Sequence, residues 1–424
     1  MDNKLKYFTF SFVVLALICK SLVASAQPNI VFILVDDWGY GDASSKLSGV
    51  PLPGIDAIAK AGITFTNGYV TASVCAPSRT GAFLGFSSQR IGLYDNPPNL
   101  PADWPESFGL PVGVTTLAES LHQLGYATGM FGKWHMGKRP DQHPMQRGFD
   151  EFLGMIGSTH PYFGEMDGNP VMRGYTPEPQ SGYLTDVFAR EAASFIHRHA
   201  NQPFYIYFSP NAVHEPYEAK PEILATLAYI ADPRRKLFAG ALISLSQAVG
   251  TITAALQADG LYNNTLIVLI GDNGGVGAGK TKPLRGRKGS LYEGGIRVPF
   301  FAAWPNILPA GTTYSRPVSS LDLFPTFLNA AGGLPRAKLE GVNLLPYLTS
   351  GLHQPDRYLY WAKTSNSAVR RGNWKLQGYG TYTQLYNLST DISEKNNVAA
   401  TNPLVVSDLS RARLAWTKTL AKHQ

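Results

Sequence analysis

Few residues in this chain have types and spacing suited to chemistry, and they fall into three short stretches. Cys75 stands in Cys75-Ala76-Pro77-Ser78-Arg79, and Cys19 is the only other cysteine. Pro77 suits the first turn of a helix, which puts Cys75 at a helix N-terminus, where free N–H groups and the dipole favour negative charge. Arg79 adds a permanent cation beside it. The other two stretches are acidic: Asp36-Asp37 ends one apolar run, and Asp272-Asn273-Gly274-Gly275 follows another. Ligands of open α/β sheets gather beyond the carboxyl ends of strands. Three carboxylates and an amide brought together there would repel one another unless a cation sat between them, and all-oxygen ligands suit Ca²⁺ or Mg²⁺ better than zinc. Each stretch also has a plainer reading, in which Cys75 is a buried inert thiol, Asp36-Asp37 caps a turn and Asp272-Asn273-Gly274 is a tight loop.

The elements that must hold these residues are legible around them. Residues 30–35, 204–208 and 266–270 are near-continuous apolar runs, the pattern of strands buried on both faces of a parallel sheet. Helical patterns cover Pro53–Ala61, 115–124 with Gly125 as its stop, 242–256 and 322–331. This alternation predicts an α/β protein with a largely parallel central sheet flanked by helices. After residue 346 the texture changes to short strands at 358–361, 367–369, 374–376 and 384–387, the mark of a small antiparallel sheet. Val405, Leu409, Trp416 and Leu420 then lie on one stripe of a closing helix. The domains expected are a signal peptide over residues 1–26, a catalytic unit over 27–346 and a C-terminal subdomain over 347–424.

The signal peptide rests on Lys4 and Lys6, the apolar run 8–18 and the small residues Ala24-Ser25-Ala26. That run is too short to span a membrane, and no later segment reads as a membrane span. Cys19 follows Ile18 rather than a small residue, so simple export is preferred to lipidation, and the location expected is secreted or periplasmic. In that setting an unpaired Cys75 needs an explanation, because exported proteins normally pair their cysteines. The formal charge of +7 falls to +5 once Lys4, Lys6, Lys20 and Asp2 leave with the signal. A mild excess without a dense basic stripe agrees with an anionic substrate and argues against nucleic acid.

In five ordered motifs the sequence resembles the type I, formylglycine-dependent sulfatases of the alkaline phosphatase superfamily. They are the run from Asn29 to Asp36-Asp37, Cys75-Ala76-Pro77-Ser78-Arg79, Gly125-Tyr126 leading to Gly132-Lys133-Trp134-His135-Met136-Gly137, Gly271-Asp272-Asn273-Gly274-Gly275, and Lys288-Gly289 with Tyr292-Glu293-Gly294-Gly295. The resemblance implies the alkaline-phosphatase-like sulfatase fold and oxidation of Cys75 to formylglycine by a formylglycine-generating enzyme. It further implies attack of the hydrated aldehyde on sulfur, followed by loss of a proton from its second hydroxyl, which releases sulfate. By the same resemblance Asp36, Asp37, Asp272, Asn273 and the modified Cys75 hold one divalent cation, most simply Ca²⁺. Arg79 and Lys133 steady the nucleophile, His135 accepts the proton, and His214 and Lys288 face the leaving oxygen and the sulfate. The chain departs from the family after the cysteine motif, where Phe83-Leu84-Gly85-Phe86-Ser87 replaces the usual Leu-Thr-Gly-Arg.

Export, mild positive charge and abundant aromatic residues favour a sulfated carbohydrate as substrate, since aromatic faces pack on sugar rings and arginines pair with sulfates. His160, Tyr162, Arg370, Arg371 and Trp374 are the candidate substrate contacts. Three alternatives stay open: a phosphodiester or phosphonate hydrolase of the same superfamily, a non-catalytic binder of sulfated glycans, and a cysteine hydrolase using an unmodified thiolate.

Overall fold

The computed structural model describes residues 27–334, 339–379 and 382–423; the expected signal peptide, with Cys19, lies outside them. Strand β1, Asn29–Val35, is buried at all seven positions because both faces of its sheet are covered. Its side chains alternate between two cores. Val31, Ile33 and Val35 enter one, with residues of helices Pro53–Ala61, Leu184–Arg198 and Pro233–Ala258. Ile30, Phe32 and Leu34 enter the other, with residues of helices Cys75–Leu84, Leu117–His122 and Leu323–Ala330. Each fully buried large apolar side chain stabilises the fold by about 1.5–3 kcal/mol.

The remaining strands are β2 (Ile63–Phe65), β3 (Gly68–Tyr69), β4 (Ala127–Lys133), β5 (Glu151–Met155), β6 (Met172–Arg173), β7 (Thr176–Pro177), β8 (Phe204–Ser209), β9 (Thr265–Gly271), β10 (Phe300–Ala303), β11 (Thr312–Tyr314), β12 (Val318–Ser319), β13 (Tyr358–Ala362), β14 (Ser367–Arg371), β15 (Trp374–Tyr379) and β16 (Tyr382–Asn387). Ten form one sheet in the order β11-β2-β10-β9-β1-β8-β4-β5-β6-β7. Its centre, β9-β1-β8-β4-β5, is parallel throughout, whereas β10, β6 and β7 run antiparallel to their neighbours. Strands β3 and β12 form a separate parallel pair. Val35 stands opposite Gly271 and Gly132 opposite Ser209, so β1, β9, β4 and β8 all end at one edge. Asp36, Asp272, Lys133 and Ser209 emerge there together.

Helix bounds differ from the sequence expectation where caps decide them. Thr116 and Glu119 form a capping box, so the helix expected from residue 115 runs Leu117–His122. The helix expected at 242–256 starts at Pro233, because Asp232 accepts hydrogen bonds from the backbone of Arg234 and Arg235. At 26 residues it is long and apolar enough to cross a membrane, but it is mostly buried against the sheet and serves as a core helix.

Strands β13–β16 make the expected antiparallel sheet. The closing helix, Pro403–Thr417, buries Leu409 and Trp416, while Leu420 falls beyond its end. Buried charge fastens this sheet to the rest. Lys375 of β15 lies 3.0 Å from Glu293 and 2.9 Å from Glu394, and all three side chains are fully buried. Burial alone would raise the Glu293 carboxyl, but Lys375, Arg297 and Arg370 hold it down to about 2. The Glu293 contribution is therefore complete above its free value near 4.5 and is lost as the pH falls toward about 2. Lys375→Met leaves two buried carboxylates without their shared cation. We expect a loss of about 3–5 kcal/mol, read by urea denaturation at pH 7.

Candidate active site

The cysteine helix, Cys75–Leu84, is buried along its whole length with Cys75 as its first residue. It points that residue at the carboxyl edge of the central sheet. The Cys75 Sγ lies 3.6 Å from Asp36 Oδ1 and 4.0 Å from Asp37 Oδ1. Backbone bonds lock the loops that follow the strands onto one another: Asp272 N donates to Val35 O, Asp36 N to Ala212 O, and Val213 N to Asp36 O. Asp37 N donates to Asp272 Oδ1 at 3.0 Å. Carboxylates from opposite ends of the sequence are thereby fixed side by side.

Cations interleave with them. Arg79 contacts Asp272 Oδ2 through Nε and Nη2, each at 2.9 Å, and Asp36 Oδ1 at 3.6 Å. Its Nη1 donates to Lys133 O and to the Ser209 hydroxyl. Lys133 Nζ lies 2.7 Å from Asp36 Oδ2, Lys288 Nζ 2.7 Å from Asp37 Oδ1, and His214 Nε2 3.6 Å from Asp37 Oδ2. Burial pushes the Asp36 carboxyl up, yet Lys133, His214, Arg79 and Lys288 together bring it well below the usual carboxylate range. Asp272 goes the other way, raised to about 7 by burial and by Asp36. Burial also pushes the Cys75 thiol up to about 12, so the unmodified sulfur stays protonated.

His135 is enclosed differently. It is fully buried, neither ring nitrogen has a hydrogen-bond partner among the described residues, and its ring packs 5.5 Å from Trp104 and 6.4 Å from Phe108. Burial, with Lys133 and Arg79 nearby, holds it well below the usual histidine range, so it is neutral. Asp37 (φ 56°) and His135 (φ 59°) are two of four described non-glycine residues in the left-handed region. Strain of this kind concentrates at functional sites. Gly132 (φ 117°) precedes Lys133, and a Cβ there would meet Ser209 O at 2.0 Å, so only glycine lets β4 approach β8 and deliver the lysine.

The residues singled out in the sequence thus divide. Asp36, Asp37, Cys75, Arg79, Lys133, Asp272, Asn273, Lys288 and, at the rim, His214 converge. Ligand atoms of Asp36, Asp37, Cys75 and His214 lie within 4.8 Å of one another, close enough to hold one ion. Asp272 lies beside them, its Oδ2 against Arg79 and its Oδ1 accepting from Asp37 N. Asn273 Nδ2 donates to Asp37 Oδ1 at 2.8 Å, and its buried Oδ1 has no partner among the described residues.

Among the candidate substrate contacts the geometry gives four other partners. The Tyr162 hydroxyl is buried and donates to the backbone oxygens of His214 and Asn211. Arg370, also buried, donates to Asn67 Oδ1, the Tyr69 hydroxyl and Gly372 O. Arg371 lies over the Tyr358 ring and reaches Asp408 on the closing helix, and Trp374 packs in the small core beneath that helix. Each of these side chains makes its contacts within the protein. His160 is buried, its Nδ1 is 2.8 Å from Pro161 O, and its Nε2 has no partner among the described residues.

Sequence reading missed Ser209, which orients Arg79, and the Trp104–Phe108 pair around His135. Ser209 carried a usable signal, as the residue directly after an apolar run that ends at the same edge. A cavity of about 810 Å³ lies elsewhere: it is largely apolar, opens around Leu84, Phe324 and Leu328, and contains none of these groups.

Known proteins resemble this arrangement. The family model named Sulfatase matches residues 28–333. Human arylsulfatase A is 31% identical over 93% of this chain and 83% of its own length. Mouse N-acetylgalactosamine-6-sulfatase is 31% identical over 89% and 77%. Among solved structures, Ps i-CgsB in complex with k-i-k-neocarrahexaose is 33% identical, covers 94% of both chains and superposes with a TM-score of 0.88. A phosphonate monoester hydrolase from Silicibacter pomeroyi shares the fold alone, at 18% identity and a TM-score of 0.68. With a buried cysteine set among carboxylates and cations at the edge of this sheet, and a family match spanning most of its length, the chain belongs to the sulfatases, enzymes that hydrolyse sulfate esters.

Proposed function

We propose that this sulfatase is a secreted or periplasmic enzyme that removes sulfate from a sulfated carbohydrate. It would use formylglycine made from Cys75 by a formylglycine-generating enzyme, and one divalent cation, Ca²⁺. Residues 27–346 would form the catalytic unit and 347–424 the C-terminal subdomain. The observation that carries this reading is the position of the Cys75 side chain, at a helix N-terminus between Asp36 and Asp37. A buried sulfur held protonated is a poor nucleophile, whereas an oxygen at the same place would face cations and a neutral base.

The donor set fits a hard cation. Asp36, Asp37, Asp272 and Asn273 would hold it through oxygen, with the Asn273 Oδ1 free to accept that role. Three carboxylates are matched by Arg79, Lys133 and Lys288, so a doubly charged ion leaves surplus positive charge for an anionic ester. When present, the cation would draw negative charge from the sulfate, and formylglycine would supply the oxygen nucleophile. The protein's own residues do the rest. Arg79 and Lys133 fix the carboxylates and position 75, the Trp104–Phe108 pocket keeps water from His135, and His135 accepts a proton as sulfate departs. Lys288 and His214, both partly exposed beside Asp37, face the ester oxygens from the solvent side.

A carbohydrate substrate is supported by relatives named as N-acetylgalactosamine-6-sulfatase, and by the k-i-k-neocarrahexaose in complex with Ps i-CgsB. The test is twofold. Mass spectrometry of the peptide spanning Cys75, after production with the modifying enzyme, should show the aldehyde, and a thiol alone removes the mechanism. A sulfate monoester should then be turned over far faster than phosphate mono- and diesters, and the reverse order would favour the phosphonate-hydrolase reading. Lys288→Ala should lower kcat/KM by about 10²–10³-fold, the usual cost of losing one preorganised donor to a transition-state anion.

A further inference from the structure

The closing helix carries a buried charge that no carboxylate among the described residues pairs with. Arg413 is 6% exposed. Its Nη1 donates to two backbone carbonyls, Gly378 O at 3.1 Å and Ser367 O at 3.4 Å, and its Nε has no partner among the described residues. Burial lowers its pKa, the reverse of Arg79, which has carboxylates beside it. An unpaired buried cation is costly and is retained only where something offsets it.

Arg413 lines a cavity of about 380 Å³ together with Tyr94, Lys363, Asn366, Lys422 and His423, and no aspartate or glutamate among the described residues lines it. Asn366 Oδ1 is buried there without a partner, an acceptor suited to a hydroxyl. The cavity is linked to the active site through neighbouring residues. Lys363 Nζ donates to Gly289 O at 3.0 Å, next to Lys288, and lies 3.9 Å from Asp95. The loop carrying Tyr94 and Asp95 continues to Asn96, whose Oδ1 accepts from the backbone N of Ala76, beside Cys75.

We propose that this cavity is a second anion subsite, which takes a sulfate on a sugar unit neighbouring the one cut at Cys75. Arg413 and Lys363 supply the positive charge, and Asn366 accepts a sugar hydroxyl. The subsite rests on the reading of the enzyme as a carbohydrate sulfatase. It makes the enzyme selective for multiply sulfated chains over isolated sulfate esters.

Two measurements on the protein and its Arg413→Gln/Lys363→Met variant test this. In crystals soaked with selenate, anomalous density should lie between Arg413 and Lys363 in the wild type and be missing in the variant. Its absence from the wild type overturns the subsite. In kinetics, KM for a multiply sulfated carrageenan hexasaccharide should rise about tenfold or more, with kcat kept and 4-nitrophenyl sulfate turnover unchanged. An unchanged KM, or an equal loss on both substrates, overturns it. Because the glutamine removes an unpaired charge, the melting temperature should not fall, and Lys363→Met alone repeats the kinetic test should the pair fail to fold. If the wild type cleaves neither ester, the carbohydrate-sulfatase reading fails, while the selenate density still decides whether the anion site exists.

Discussion

Cys75→Ala should release sulfate at least about 10⁵-fold more slowly than the wild type, the scale on which an enzyme loses its nucleophile. The same substitution should leave the fold in place. The Cys75 sulfur makes only two long contacts, 3.6 and 4.0 Å, with Asp36 and Asp37. Its thiol is held neutral, so no ion pair disappears with it, and trimming one buried sulfur costs about 1 kcal/mol. Activity and stability therefore separate: circular dichroism and the melting temperature stay close to wild type while sulfate release vanishes. Near-normal turnover would move the nucleophile elsewhere. Thiol-blocking reagents provide an independent check, since a mature enzyme without a thiol at position 75 is insensitive to them and a thiolate hydrolase is not.

How legible these features were in the sequence depended on what surrounds each residue. Strands β1 and β9 are buried on both faces, so their apolar runs stand out, and the acids that end them could be placed at a sheet edge from sequence. Strand β4 is just as central but reads Ala127-Thr128-Gly129-Met130-Phe131-Gly132-Lys133. Gly132 serves close packing against β8, Gly129 leaves room for the rings of Phe131 and Phe195, and both break the apolar run, so Lys133 and His135 were identified only through the family resemblance. The start of the helix at Pro233 was hidden because its first turn is Arg234-Arg235-Lys236, charged where the pattern needed apolar residues.

Arginines illustrate the opposite failure. Composition cannot distinguish an arginine that reaches for substrate from one that braces a domain, and Arg370 proved to be the second kind because Tyr69, Asn67 and Glu293 lie across the interface from it. Arg413, not singled out in the sequence, is buried without a carboxylate beside it among the described residues. Only tertiary structure shows which arginines have counterions.

Asp272→Asn should cost at least about 10³-fold in kcat/KM, the equivalent of about 4 kcal/mol, yet should not weaken the metal-free fold. Function suffers because the carboxylate has two tasks: one oxygen pairs with Arg79 Nε and Nη2, and the other accepts from Asp37 N. An amide preserves the shape and the second bond but cannot satisfy the arginine. Stability moves the other way. The folded protein raises the Asp272 pKa from 3.8 to about 7, so its charged form is disfavoured by folding, and stability is lost as the pH rises from the unfolded value through about 7. At pH 8 in a chelator the neutral asparagine escapes that penalty, and Arg79 keeps Asp36, Lys133 O and Ser209. Calcium should reverse the comparison. At about 100 times its Kd a bound ion would stabilise the wild type by about 2.7 kcal/mol, while the variant, short of one carboxylate at the site, should gain much less. Melting curves of both proteins, with chelator and with calcium, read this directly. A wild type indifferent to calcium would remove the metal from the site, and a variant that gains as much as the wild type would remove Asp272 from the ligand set.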